Sequence, residues 1–234
     1  MTRIVSASLG TAVWRAGLAD PHLHWKRTKS AWEMAVSWES RRNSQSGVPD
    51  EVHAALHAHA EFRNPTLLIG IVEHRVALDT PKTPSQNDLW CMLLTDAGQV
   101  SVAIEAKAGE EFDKRLEDWL RSEGSGKEHR LAFLCDVLGI SSKPGTGLRY
   151  QLFHRAASAV LEAQRWRVGK ALMMVQSFKE SASSWQDYVD FASLLGLQVA
   201  RNTVSGPAQA KGAELYLVWV DSLLAGDEVA AAAV

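Results

Sequence analysis

An α/β fold, a mixed central sheet with helices on both faces, is what this 234-residue sequence predicts. Three observations carry it. Apolar residues recur at helical spacing in some stretches and form short strand-like runs in others. The two kinds interleave as helices, three strands, helices, strand, helix, strand, the order of an α/β sandwich. Hydrophobic residues make up 46% and charged residues 22%, so the chain has apolar surface enough for a core and disorder is not the default. No repeat or linker divides residues 1–225, which read as a single domain, and the alanine-rich end, residues 226–234, reads as a flexible tail.

Residues 29–41 carry Ala31, Trp32, Ala35, Val36 and Trp38 at three- and four-residue spacings, which predicts an amphipathic helix with Ser30 placed to cap it. Pro49 and Asp50 signal a second start, and Val52, Leu56 and Ala60 extend that helix over residues 49–62. A strand is expected at residues 74–78. The turn-rich Asp79-Thr80-Pro81-Lys82-Thr83-Pro84-Ser85 leads to a second strand, Leu89-Trp90-Cys91-Met92-Leu93-Leu94, and Asp96-Ala97-Gly98-Gln99 connects tightly to a third, Val100-Ser101-Val102-Ala103-Ile104. These form a meander. Helices are expected over residues 110–121 and 129–138, joined by Gly124-Ser125-Gly126. A longer helix, about residues 148–165, has a wide apolar stripe of Leu152, Phe153, Ala156, Ala159, Val160 and Ala163. Residues 171–175 read as a buried strand, 185–195 as a helix and 215–220 as a last strand.

The 25 basic and 27 acidic residues give a formal charge of -2, which argues against a strongly basic nucleic-acid coat. Local grooves stay open: Lys26-Arg27-Lys29, Arg41-Arg42 and Arg165-Arg167-Lys170 have Trp25, Trp32 and Trp166 as aromatic neighbours. The two cysteines, Cys91 and Cys135, lie in apolar stretches and read as buried thiols in a reducing cytoplasm. No signal-peptide core forms, and no run approaches the ~18 apolar residues of a membrane span. The nine tryptophans permit a homo-oligomer interface. His53 and His57 lack the Glu of a zinc-peptidase helix, and Gly124-Ser125-Gly126-Lys127 lacks the first glycine and the Ser or Thr of a phosphate loop.

Charge within the meander is the anomaly. Side chains alternate along a strand, so Glu105 and Lys107 share a face with Ser101 and Ala103, while Val100, Val102, Ile104 and Ala106 take the other. Asp88 begins the adjacent strand. Buried charges cost several kcal/mol unless paired or metal-bound. Magnesium is usually held by one or two carboxylates with waters and phosphate completing the octahedron, so Asp88 and Glu105 are a candidate pair of Mg²⁺ or Mn²⁺ ligands. Lys107 would orient an attacking water or neutralise developing charge.

Ser85-Gln86-Asn87-Asp88 followed by Ile104-Glu105-Ala106-Lys107 resembles the PD-(D/E)xK nuclease superfamily, with Asn87 where the name-giving proline would stand. Further patterns resemble an uncharacterised bacterial domain family within it: Ser30-Ala31 with Trp38-Glu39, Glu105-x-Lys107-x-x-Glu110-x-Phe112, and Leu148-Arg149-Tyr150-Gln151-Leu152-Phe153-His154-Arg155. The resemblance implies a restriction-endonuclease-like α-β-β-β-α-β core and a metal-dependent phosphodiesterase acting on DNA or RNA. It also implies a first-helix glutamate, Glu33 or Glu39, at the site, and Gln151 and Arg155 touching substrate phosphate. Glu110 is expected to cap a helix start. The alternative is a catalytically degenerate relative, kept as a binding or interaction module, in which Glu105 and Lys107 merely pair.

Overall fold

The computed structural model describes residues 10–18, 20–80, 82–179 and 181–225. Helices α1 (Thr11–Gly17), α2 (Pro21–His24), α3 (Ser30–Ser40) and α4 (Asp50–His57) precede a meander of β1 (Thr66–Val76), β2 (Ser85–Thr95) and β3 (Gly98–Ala108). Then come α5 (Leu116–Arg121), α6 (Lys127–Leu138), α7 (Tyr150–Trp166), β4 (Lys170–Lys179), α8 (Ala182–Leu194), β5 (Ser205–Ala210) and β6 (Ala213–Asp221). The strands form one six-stranded mixed sheet in the order β1-β2-β3-β4-β6-β5. Neighbours pair antiparallel except β3 with β4 and β4 with β6, which are parallel. Parallel strands need a covering crossover, and α7 supplies it between β3 and β4.

The strict alternation expected of β3 is present. Val100, Val102, Ile104 and Ala106 enter a core shared with Trp14, Met34, Trp38 and Leu56 of the N-terminal helices. Ala103 joins a second core with Leu152, Phe153, Ala156 and Val160 of α7, and the Ser101 hydroxyl donates to the Ala159 carbonyl. Both faces of the sheet are thus covered, as the near-continuous apolar run of β4 requires.

Several boundaries differ from the sequence expectations. β1 begins at Thr66, well before residue 74, because it is an edge strand whose half-buried residues and Gly70 blur the alternation. The helix expected over residues 110–121 is only Leu116–Arg121. The chain before it is held extended by a bridge between Arg115 and Arg149 and by the Arg149 guanidinium, which donates to the Phe112 and Asp113 carbonyls. The helix expected over residues 49–62 stops at His57, and Ala60–Phe62 forms a separate 3₁₀ turn. Ser30 is the first residue of α3 and its side chain caps nothing. Helices α1 and α2, and strand β5 with its Gly206-Pro207, were not anticipated. Cys91 is buried as expected, Cys135 only half-buried, and neither forms a disulfide. No helix among the described residues is long and apolar enough to cross a membrane. The tail expected at residues 226–234 lies outside the described residues.

Candidate active site

β2 and β3 separate at one end, and the charged residues meet there. Their pairing ends at Leu89 opposite Ile104, whereas β2 stays paired with β1 as far as Ser85 opposite Val76. Beyond the split, the Ala106 N–H finds the Asp88 carboxylate at 2.8 Å in place of a ladder partner. A side chain thus satisfies a backbone donor that would otherwise be orphaned.

β1 carries a matching irregularity. Residues two apart in a regular strand share a face, yet Val72 packs toward the N-terminal-helix core while His74 lies tilted against Trp90 and faces Glu162 of α7. The reversal falls on Glu73, whose φ is +52°, a conformation that L residues adopt at a cost. Its half-buried side chain accepts from Gln86 Nε2 at 2.5 Å. With Asp88 it lines a small recess walled by Trp14, Trp25 and Met34. Glu73 is the residue that sequence reasoning missed, because the strand expected to start at residue 74 began just past it.

On the α7 side, Glu105 is surrounded by donors. Lys107 Nζ lies 2.8 Å from one carboxylate oxygen and Gln151 Nε2 2.7 Å from the same atom, while Arg155 Nε is 2.5 Å from the other. Lys107 Nζ also donates to Gln151 Oε1 at 3.2 Å and sits 5.0 Å from the Phe112 ring centre. Gln151 and Arg155, four apart on α7, therefore reach the site on one helix face as expected. Their partner is the Glu105 carboxylate. Arg155 Nη1 continues to Ser85 Oγ at 3.1 Å, and Ser85 Oγ shares a 2.8 Å hydrogen bond with His154 Nδ1.

These neighbours set the protonation states. Burial opposes ionisation of Glu105, but Arg155 and Lys107 outweigh it and hold the carboxyl down at about 2. Burial and then the Glu105 charge push Asp88 from an ordinary 3.8 up to about 8. Burial also raises Glu73, and burial with the Arg155 charge keeps His154 neutral, well below its ordinary value. Two adjacent carboxyls driven apart in this way are characteristic of sites that bind or exchange charge.

Two predictions follow from this geometry. Unfolded, Asp88 ionises near 3.8; folded, it keeps its proton to about 8. The folded state holds the extra proton across that window, so this group's contribution to stability falls as pH rises from about 4 to about 8. The difference in unfolding free energy between Asp88→Asn and the native protein, measured by urea titration across that range, should grow in favour of the variant. A flat difference would show that Asp88 is ordinary. Glu73→Gly should raise stability by about 1 kcal/mol through relief of the +52° backbone, the strained conformation exceeding glycine's own entropy cost. A lowered urea midpoint would assign the conformation no strain.

Neither first-helix glutamate joins the cluster. Both Glu33 oxygens accept backbone N–H groups, from Thr28 and Ala225, each at 2.8 Å. Glu39 accepts from Trp14 Nε1 at 2.8 Å and lies 3.7 Å from Arg42. Both are occupied in holding the N-terminal helices and the end of the described chain to α3. Glu110 starts no helix of its own: it takes the Ala108 N–H at 2.5 Å, accepts the Ser30 N–H at the first residue of α3 at 3.4 Å and lies 4.0 Å from Lys29, so it caps α3 from across the fold and ties the end of β3 to it. Asn87 is fully buried and donates to the His74 carbonyl. Of the basic groups expected to line a groove, Arg41 pairs with Asp50, Arg165 with Glu162 and Lys170 with Glu61, while Arg27 lies over Trp32. His53 and His57 stack on each other, and His57 Nδ1 accepts the Asn64 N–H. Among the described residues, no three His, Cys, Asp or Glu side chains are grouped to hold a metal.

A family model for DUF6946, a domain of unknown function, matches residues 7–223. No curated protein and no solved structure matches the chain.

Proposed function

The chain belongs to the DUF6946 family, a domain of unknown function, and from the arrangement of its charged residues we propose that it is a divalent-metal-dependent nuclease of PD-(D/E)xK type, acting on DNA or RNA. In this reading α3, the β1–β3 meander, α7 and β4 form the restriction-endonuclease-like α-β-β-β-α-β core. The observation that carries it is the meeting of Asp88, Glu105 and Lys107 where β2 and β3 separate, with Lys107 Nζ 2.8 Å from Glu105.

The donor set fits Mg²⁺ or Mn²⁺. Two carboxylates suffice for such an ion when waters and phosphate fill the remaining positions. Asp88 spends one oxygen on Ala106, and no hydrogen bond to its other oxygen occurs among the described residues. Bound there, the ion would lower the pKa of a water and stabilise phosphate charge. The chain's own groups supply the rest. Lys107, held between Glu105 and Gln151, carries protons and positive charge at a fixed point beside the carboxylates. Arg155 anchors Glu105 from the opposite side, so the carboxylate stays ionised and oriented.

Calorimetric titration with Mn²⁺ tests the reading. One ion should bind, more tightly at pH 8.5 than at pH 6.5, because Asp88 must lose the proton it keeps to about 8. Asp88→Asn should abolish that binding. Absence of Mn²⁺ binding at both pH values would leave the degenerate binding module, which one feature favours: Glu105 already has two cations, Lys107 and Arg155, within 2.8 Å.

A further inference from the structure

A cleft of about 450 Å³ opens beside the charged cluster, between the start of β2 and helices α5, α6 and α7. Its lining includes Ser85 and His154, and Ser85 is joined through Arg155 to Glu105, so the cleft begins one side chain away from the carboxylates. Trp119 and Tyr150 form its aromatic wall. Their rings stack at 3.9 Å with an interplanar angle of 10°, which fixes the half-exposed indole against a nearly buried phenol. Lys127 Nζ lies over the Trp119 ring, 5.8 Å from its centre, and donates to Ser122, so a base stacking on the indole displaces this ammonium; Arg130 is held by Asp79, Thr80 and Thr83 and shapes the polar edge.

We infer that this cleft receives an unpaired nucleobase of the nucleic-acid strand whose phosphate is cut at Asp88, Glu105 and Lys107; the strand chemistry rests on the nuclease reading above. A rigid aromatic face with polar groups around it is how proteins hold a base, since every base has a π-face to stack. A base within a duplex hides both faces in the helical stack and must be everted to present one. The cleft has the volume of a nucleotide, far less than that of a duplex. The charged residues in its lining balance, Lys127 and Arg130 against Asp79 and Glu123, so it offers no basic track for two phosphate backbones. The substrate class is accordingly single-stranded or locally unpaired nucleic acid, with a nucleotide adjoining the scissile phosphate seated between α5 and β2.

Binding is measured in EDTA, where no cleavage occurs, with adenosine monophosphate, a fluorescent single-stranded oligonucleotide and its duplex as probes. Adenosine monophosphate should displace the single strand, and the duplex should bind at least tenfold more weakly. Trp119→Ala should weaken both the nucleotide and the single strand about tenfold, the scale of one lost base stack. Ser125→Trp, at an exposed rim position, should do the same by filling the cleft without touching the core. Nucleotide and single-strand affinities unchanged in both variants, or a duplex bound as tightly as the single strand, would overturn the proposal even if Mn²⁺-dependent cleavage is found. A nucleotide that binds without displacing the strand overturns it in favour of a free-nucleotide site. Binding that depends on Trp119 in a protein that holds no Mn²⁺ would leave the cleft standing and remove the nuclease reading.

Discussion

Lys107→Ala should reduce the proposed Mg²⁺- or Mn²⁺-dependent cleavage by about 10²–10⁴-fold, the range for loss of one positioned proton donor or charge stabiliser. The size of the effect comes from burial. Lys107 is 7% exposed, and its ammonium is fixed by Glu105, Gln151 and the Phe112 ring, so no bulk water substitutes for it at the same point. The fold should survive, because Glu105 keeps Arg155 and Gln151 as partners. Lys107→Arg should recover little activity, since a planar guanidinium does not reproduce a compact ammonium held between two oxygens. Cleavage of single-stranded and duplex substrates, assayed alongside the urea midpoint of each variant, checks this. Activity undiminished in Lys107→Ala would place the chemistry elsewhere in the molecule.

How far the sequence disclosed this site depended on how local the signals were. β3 was legible because its two faces meet two different cores: alternation alone put Glu105 and Lys107 on one face with Ser101 and Ala103, and that face is the one α7 covers. The four-residue spacing of Gln151 and Arg155 told their common face. It did not tell that their partner would be a carboxylate, because that depends on how closely α7 packs on β3. The Glu105-x-Lys107-x-x-Glu110-x-Phe112 pattern is now interpretable: Phe112 lies beside the lysine and Glu110 closes the strand end onto α3. The first-helix glutamates were undecidable because their partners are distant in sequence, Ala225 for Glu33 and Trp14 for Glu39. Glu73 was invisible for a different reason. A positive φ at a glutamate leaves no mark in composition, and an edge strand buries too little to show periodicity. β5 was hidden likewise, because a Gly-Pro pair is a turn signal in a sequence, although Gly206-Pro207 lies in the strand that completes the far edge of the sheet.

Arg155→Ala should cost about 3–5 kcal/mol of stability, the usual result of removing one partner from a buried ion pair. Arg155 and Glu105 are 7% and 4% exposed and their charged atoms lie 2.5 Å apart. Removing the guanidinium strands more than one group: Glu105 loses its second cation, and Ser85 loses a donor shared with His154. Lys107 and Gln151 remain on the first Glu105 oxygen, which sets the expected loss toward the lower end of the range. The charge itself, rather than the packing of the side chain, is responsible. The double variant Glu105→Gln with Arg155→Met keeps both volumes and removes both charges, so it should regain most of the lost stability, as neutral replacements of buried pairs generally do. It should still bind no Mn²⁺ if Glu105 is a ligand. Urea titrations of the two single variants and the double variant give the coupling directly. A coupling near zero would mean that Arg155 stabilises by packing alone; strong coupling together with unchanged Mn²⁺ affinity in the double variant would make Glu105 a structural anion and leave Asp88 to hold the ion without it.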